Sequence, residues 1–165
     1  MFSYFEILDL PVAFNIDLSA LESGYFKAQR DFHPDRFIGR PAQERSVALS
    51  RSMDINQAYE ALKNPLKRAQ HILKLQGIIV GTENDSIKPS PALLMEIMEL
   101  QEQFEQVQDI EIHNGLVDKL KDLQKKSLLD IAKFYANEEW QKMAQETIRL
   151  GYIVKISEEK KYKKL

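Results

Sequence analysis

Residues 17–69, DLSALESGYFKAQRDFHPDRFIGRPAQERSVALSRSMDINQAYEALKNPLKRA, carry the pattern from which the architecture can be read. Apolar residues recur at helical spacing on both sides of one interruption. Before it, Leu18, Leu21, Tyr25, Ala28 and Phe32 advance in steps of three and four and form a single stripe, with Lys27 and Arg30 opposite. Ser19 and Glu22 have capping-box spacing, so this helix is expected to start near Asp17 or Ser19. The interruption holds His33, Pro34, Asp35, Gly39 and Pro41, which favour turns over helix. After it, Val47, Ile55, Ala58 and Leu62 share one side of a helix running to about Lys63. Asn64 and Pro65 then supply an N-cap and first-turn pair for another helix, ending at Gly77. Two long helices joined by one loop imply an antiparallel hairpin, with His33-Pro34-Asp35 presented outward at its tip.

Upstream, a short helix is expected near Tyr4 to Leu10, ended by Pro11, which disfavours helical geometry in the residue before it. Downstream, Gly77, Gly81, Asn84, Asp85, Ser86 and Pro89 mark residues 77–90 as the linker and domain boundary. Ser90 and Pro91 repeat the Asn64-Pro65 pattern and open three further helices, expected at about 91–109, 112–136 and 138–158. Asn137, Glu138 and Glu139 supply a cap and an acidic first turn for the last of these. The lysine-rich tail, residues 158–165, is expected to fray. The fold class is therefore all-α, with one domain over residues 1–76, the linker over 77–90 and a C-terminal three-helix bundle over 91–165.

Composition narrows the function. The 165 residues include no cysteine, which excludes a disulfide framework, a thiolate zinc site and an iron–sulfur cluster held by the chain's own sulfurs. A formal net charge of −2 gives no support for nucleic acid as the main ligand. No apolar run approaches the roughly 20 residues that cross a bilayer. Residues 1–10 carry Glu6 and Asp9 but no Lys or Arg, which suits neither a secretory signal nor a transit peptide. A bacterial cytoplasmic protein is the expectation. His33, His71 and His113 are too scattered for a metal motif, and no glycine-rich phosphate loop occurs, so no cofactor is expected. His71 reads as a helix-surface residue, His113 as a turn or helix-start residue, and Trp140 as core.

Taken alone, His33-Pro34-Asp35 is explained by turn chemistry: Pro34 fixes its own φ, Asp35 bonds nearby amides, and His33 ends a helix. Its surroundings say more. An amphipathic helix with basic residues outside precedes it, and Ile55-Asn56-Gln57-Ala58-Tyr59-Glu60-Ala61-Leu62 and Asn64-Pro65-Leu66-Lys67-Arg68-Ala69 follow. This arrangement resembles the J-domain of the DnaJ class over roughly residues 2–76. More narrowly, the Asn-Gln-Ala-Tyr and Asn-Pro-Leu-Lys-Arg-Ala segments, without a Gly/Phe-rich or zinc-finger region, are similar to the HscB family of iron–sulfur co-chaperones. The resemblance implies that His33, Pro34 and Asp35, with Lys27, Arg30 and Arg36, dock on an HscA-type chaperone of the DnaK class and stimulate its ATP hydrolysis. The chain itself would then be no enzyme. An acid–base role for His33 and Asp35 would need a concave pocket with converging groups.

The helix after Pro91 carries a second signal. Leu93, Ile97, Leu100, Phe104 and Val107 share the stripe that would face a bundle core, which leaves Leu94, Met95 and Met98 pointing elsewhere. Glu99, Glu102 and Glu105 lie around them, and residues 91–109 carry five acids, Glu96 and Asp109 included, but no Lys or Arg. An apolar patch ringed by carboxylates has the form of a protein-binding site, with methionines able to adapt. Packing against the fourth helix, where Ile72 and Leu75 also leave the main stripe, would explain the same residues. The family resemblance implies the former: an IscU-type cluster scaffold bound through Leu94, Met95, Met98, Glu99 and Glu102, with Tyr152 as the last helix's aromatic contact. A J-protein serving a different client is the alternative.

Overall fold

The computed structural model describes residues 3–161. Among them the regular elements are α1 (Tyr4–Ile7), α2 (Leu18–Phe32), a 3-10 turn (Pro34–Phe37), α3 (Ala42–Lys63), α4 (Pro65–Leu75), α5 (Pro91–Gln106), α6 (Ile110–Ala136) and α7 (Trp140–Lys161). No strand occurs among these residues. The chain divides into two compact units between Leu75 and Gln76.

In the first unit α2 and α3 are antiparallel, as their cross-bonds require. Gln29, late in α2, bonds Ser52 at 3.1 Å and Asn56 at 2.7 Å, while Tyr25, a turn earlier, bonds Asn56 at 3.0 Å and stacks on Tyr59 at 4.3 Å. The buried row of α3 is Ala48, Ser52, Ile55, Ala58 and Leu62. Val47, expected on that face, is exposed. Small residues face α2 in the first half of α3, and moving the buried position by one residue turns it about 100° around the helix. On α2, Leu21 is buried but Leu18, the helix's first residue, is exposed because it precedes the packed turns.

Helix ends show where local chemistry overrides the pattern. Asp17 caps α2 by accepting from the Ser19 and Ala20 amides, so the Ser19 to Glu22 spacing is not used as a cap. A reciprocal capping box does occur, between Ser3 and Glu6, and it starts a helix that stops at Ile7, not Leu10. Asp9 follows with φ 55°. Gly24 lies where α2 crosses this segment: a Cβ there would sit 2.4 Å from the Leu8 carbonyl oxygen, closer than any side chain allows.

Two side chains of α4 lock the unit. Arg68 is buried against backbone oxygens: its Nε donates to the Leu62 carbonyl and Nη1 to the Phe14 carbonyl, both at 2.7 Å, and the guanidinium lies 5.7 Å over the Phe14 ring. His71 is not a free surface residue. It is half-buried, stacks on Tyr4 at 4.1 Å and accepts the Tyr4 amide at Nε2 at 3.0 Å. Burial, with Lys74 nearby, pushes its pKa below the ordinary histidine value.

The second unit is an up-down-up bundle. Glu96 of α5 pairs with Arg149 of α7 at 2.8 Å and Lys160 lies 5.8 Å over Phe104, so α5 and α7 run parallel. Ser127 of α6 donates to Glu146 of α7 at 2.6 Å and Phe134 meets Lys142, so α6 runs against α7. Leu93, Ile97, Leu100 and Phe104 are buried with Leu120, Ile131, Met143, Thr147, Leu150 and Ile153. Before α5, the Lys88 carbonyl and the Ser90 amide are both held by the Gln145 side chain, at 2.8 and 3.0 Å.

Helix boundaries in this unit also differ from the sequence expectation. α5 ends at Gln106, not 109, because Asp109 turns its carboxylate onto the Glu111 and Ile112 amides and caps α6. Val107 therefore lies beyond the helix whose stripe it was expected to join. Asn137 closes α6 rather than opening α7: its amide bonds the Lys133 carbonyl, and Glu138, at φ 55°, reverses the chain. α7 continues to Lys161, past the expected end at 158. The rest of the expected frayed tail, residues 162–165, lies outside the described residues. His113 sits in the first turn of α6 and is buried edge-on against Phe104, with its Nδ1 unpartnered.

Candidate partner-binding surfaces

The tip of the hairpin is shaped by bonds to its own backbone. His33 terminates α2 and at once caps the 3-10 turn that follows, accepting the Asp35 amide at Nδ1 at 3.3 Å. Pro34 stands at the first position of that turn, where its missing N–H leaves no donor unsatisfied. With Nδ1 accepting from the backbone, the neutral ring carries its proton on Nε2. The Asp35 carboxylate is 3.6 Å from the same Nδ1, too far for a hydrogen bond. Both side chains are exposed to solvent.

The three cations singled out on this face each lie beside a carboxylate. Lys27 is 3.6 Å from Asp9, Arg30 is 3.8 Å from Asp31, and Arg36 is 3.7 Å from the same Asp31. Arg36 also donates to the Arg30 carbonyl at 2.6 Å, which satisfies a free carbonyl at the end of α2. Exposed pairs of this kind contribute about 0–1 kcal/mol each, but they cancel much of the face's positive charge at short range. Beside the tip, Phe32, Phe37, Pro41, Val47 and Ala48 line a shallow apolar groove of about 470 Å³.

On α5, the residues expected to lie off the core stripe do so. Leu94, Met95 and Met98 retain 39%, 62% and 59% of their accessible surface, and Glu99 and Glu102 are exposed with them. Met95, Met98, Glu99 and Glu102 follow one another within two turns along the outer face, so the apolar and acidic groups interleave. Tyr152 is half-buried on α7, one turn beyond the Arg149 that pairs with Glu96. Asp109 leaves this acidic set, because it belongs to the cap of α6.

Among the described residues no group of three His, Cys, Asp or Glu could hold a metal ion, and no helix is long and apolar enough to cross a membrane. The feature that pattern reading passed over is Phe26, which keeps 66% of its surface on the outer side of α2. Helical phase could have found it, since residue 26 falls about 120° around the axis from the centre of the stripe formed by Leu18, Leu21, Tyr25, Ala28 and Phe32.

Known proteins agree with this architecture. Residues 89–161 match the family described as HSCB C-terminal oligomerisation domain. The co-chaperone protein HscB of Proteus mirabilis is 35% identical over 160 residues, covering 94% of this chain and 92% of its own. The solved structure of the chaperone HscB from Vibrio cholerae superposes with a TM-score of 0.83 at 34% identity, covering 97% of this chain and 96% of that one. Human co-chaperone protein HscB gives 0.88 at 26% identity, covering 98% and 81%. The first unit is thus a J-domain and the second the C-terminal helical bundle that accompanies it. With relatives this similar over nearly its whole length, the chain belongs to the HscB family of co-chaperones.

Proposed function

We propose that this chain is an adaptor in iron–sulfur protein maturation. It binds an IscU-type cluster scaffold through Leu94, Met95, Met98, Glu99, Glu102 and Tyr152, and delivers it to an HscA-type chaperone of the DnaK class. The His33-Pro34-Asp35 tip, with Lys27, Arg30 and Arg36, engages that chaperone and stimulates its ATP hydrolysis, so the covalent chemistry belongs to the partner. The setting is the bacterial cytoplasm. Neither nucleic acid nor a membrane takes part.

The observation that carries this reading is the exposed His33-Pro34-Asp35 turn at the tip of a J-domain hairpin, in a chain belonging to the HscB family. The exposed apolar and acidic face of α5 supports the scaffold assignment. A tip that binds the hydrolysis-competent chaperone more tightly than the resting one shifts its population toward hydrolysis. The bundle meanwhile raises the scaffold's local concentration near the chaperone, as any bivalent linkage does.

Single-turnover ATPase measurements on the HscA-type chaperone, with and without scaffold, test this. The wild-type chain accelerates hydrolysis, scaffold adds to the acceleration, and His33→Gln removes it. Acceleration that scaffold leaves unchanged would mean a different client, and no acceleration would end the proposed chaperone partnership.

A further inference from the structure

Resting on the proposed chaperone partnership, we infer that Phe26 is an apolar anchor for the HscA-type chaperone and that burial of its ring, more than charge, sets the affinity of this J-domain. Phe26 lies within α2, and His33 is the residue that closes it, seven positions later. Seven residues turn about 700° around the axis, roughly 20° short of two full turns, and rise about 10 Å. Whatever surface meets His33 therefore meets Phe26 two turns along on the same face, well inside a partner footprint of roughly 800 Å².

The surroundings favour the ring. Its two-thirds exposure leaves a phenyl face in water, held from one side by Tyr25 at a centroid distance of 5.5 Å. Tyr25 is itself fixed by stacking on Tyr59 and bonding Asn56, so the shelf behind Phe26 is rigid. A pre-ordered aromatic loses little side-chain freedom on binding, and interface energy concentrates on such residues. The neighbouring cations Lys27 and Arg30 lie beside Asp9 and Asp31, which weakens the electrostatic alternative. The occupant is accordingly a chaperone surface with an apolar pocket for one aromatic ring, beside the site that receives His33.

The test measures the concentration of full-length chain giving half-maximal chaperone stimulation. Phe26→Ser is expected to raise it at least about tenfold while the rate at saturation stays near wild type, and Phe26→Leu is expected to recover most of the loss. Raising salt from about 50 to 300 mM should move the wild-type value less than about threefold, as expected where exposed pairs contribute little. Thermal melts of both variants should match wild type, because the position is an exposed helix surface. A Phe26→Ser value within about twofold of wild type, or a steep salt dependence, overturns the inference while the adaptor reading stands. So does a Phe26→Ser effect confined to scaffold binding or to self-association, measured by light scattering. If the wild-type chain fails to stimulate at all, both readings fall together.

Discussion

The two candidate surfaces are made differently. At the hairpin tip the residues act on the backbone around them, for His33 ends one helix and caps the next turn, and Pro34 supplies that turn's first φ. The outer face of α5 is a regular helix surface on which Leu94, Met95 and Met98 present exposed apolar area. A site that works through one atom of one residue should fail all at once when that atom is removed. A site that works through area should fail in portions. Abrupt against graded loss therefore separates the two roles within one chain.

The largest expected effect is at the tip. His33→Gln should lower chaperone stimulation by about 2 kcal/mol or more, at least about thirtyfold in effective rate, while scaffold affinity measured by calorimetry stays at the wild-type value. A parallel loss of scaffold binding would erase the distinction between the surfaces.

Next in size is a change that attacks the frame of the tip rather than the tip itself. Gly24→Ala drives a methyl into the Leu8 backbone carbonyl, so the first unit should lose about 2 kcal/mol, seen as an earlier thermal transition. The helical signal of the second unit should be unaffected. Coincident loss of both would show the two units melting as one.

Smaller, and graded, are the effects on α5. Met95→Ser and Met98→Ser should each weaken scaffold binding by about 1 kcal/mol, roughly fivefold, with a larger combined loss and unaltered chaperone stimulation without scaffold. Complete loss from either alone would make this face behave like the tip.

The smallest concerns pH. His71 accepts the Tyr4 amide in its neutral form and its pKa is lowered by burial, so the folded state binds fewer protons than the unfolded one. Its contribution is fully present above about pH 6.5, the unfolded histidine value, and is lost as pH falls through the lower folded value. Chemical denaturation between about pH 7.5 and 5 should show this decline, and His71→Gln should flatten it. An unchanged slope in the variant would exclude His71 as the source.

Much of this was legible in the chain. The stripe on α5 is buried at Leu93, Ile97, Leu100 and Phe104 because a 3.6-residue period leaves only one face for a core, and the same period places Met95 and Met98 outside. Ser90-Pro91 opened its helix as expected, since an oxygen acceptor followed by a residue without an N–H satisfies the first turn from within a few residues. Boundaries that depend on a choice among caps were not legible. Asp17 competes with Ser19, and Asp109 could extend α5 or cap α6; each choice was made by where the chain had to turn. Val47 was misplaced because alanine and serine carry too little hydrophobic signal to reveal that Ala48 and Ser52 face α2.

The helices, the two apolar stripes and the outward placement of the His33-Pro34-Asp35 turn were all set by the amino-acid order, because they follow from periodicity and from residues that act on their immediate neighbours. The remainder came from the packed chain alone. Packing buried Arg68 between two carbonyls from residues 14 and 62, set Gly24 against Leu8, turned His71 into a latch for α1, and put a carboxylate beside Lys27, Arg30 and Arg36. Most of those contacts join segments far apart in the chain, and neither propensity nor spacing carries information about which distant groups will meet.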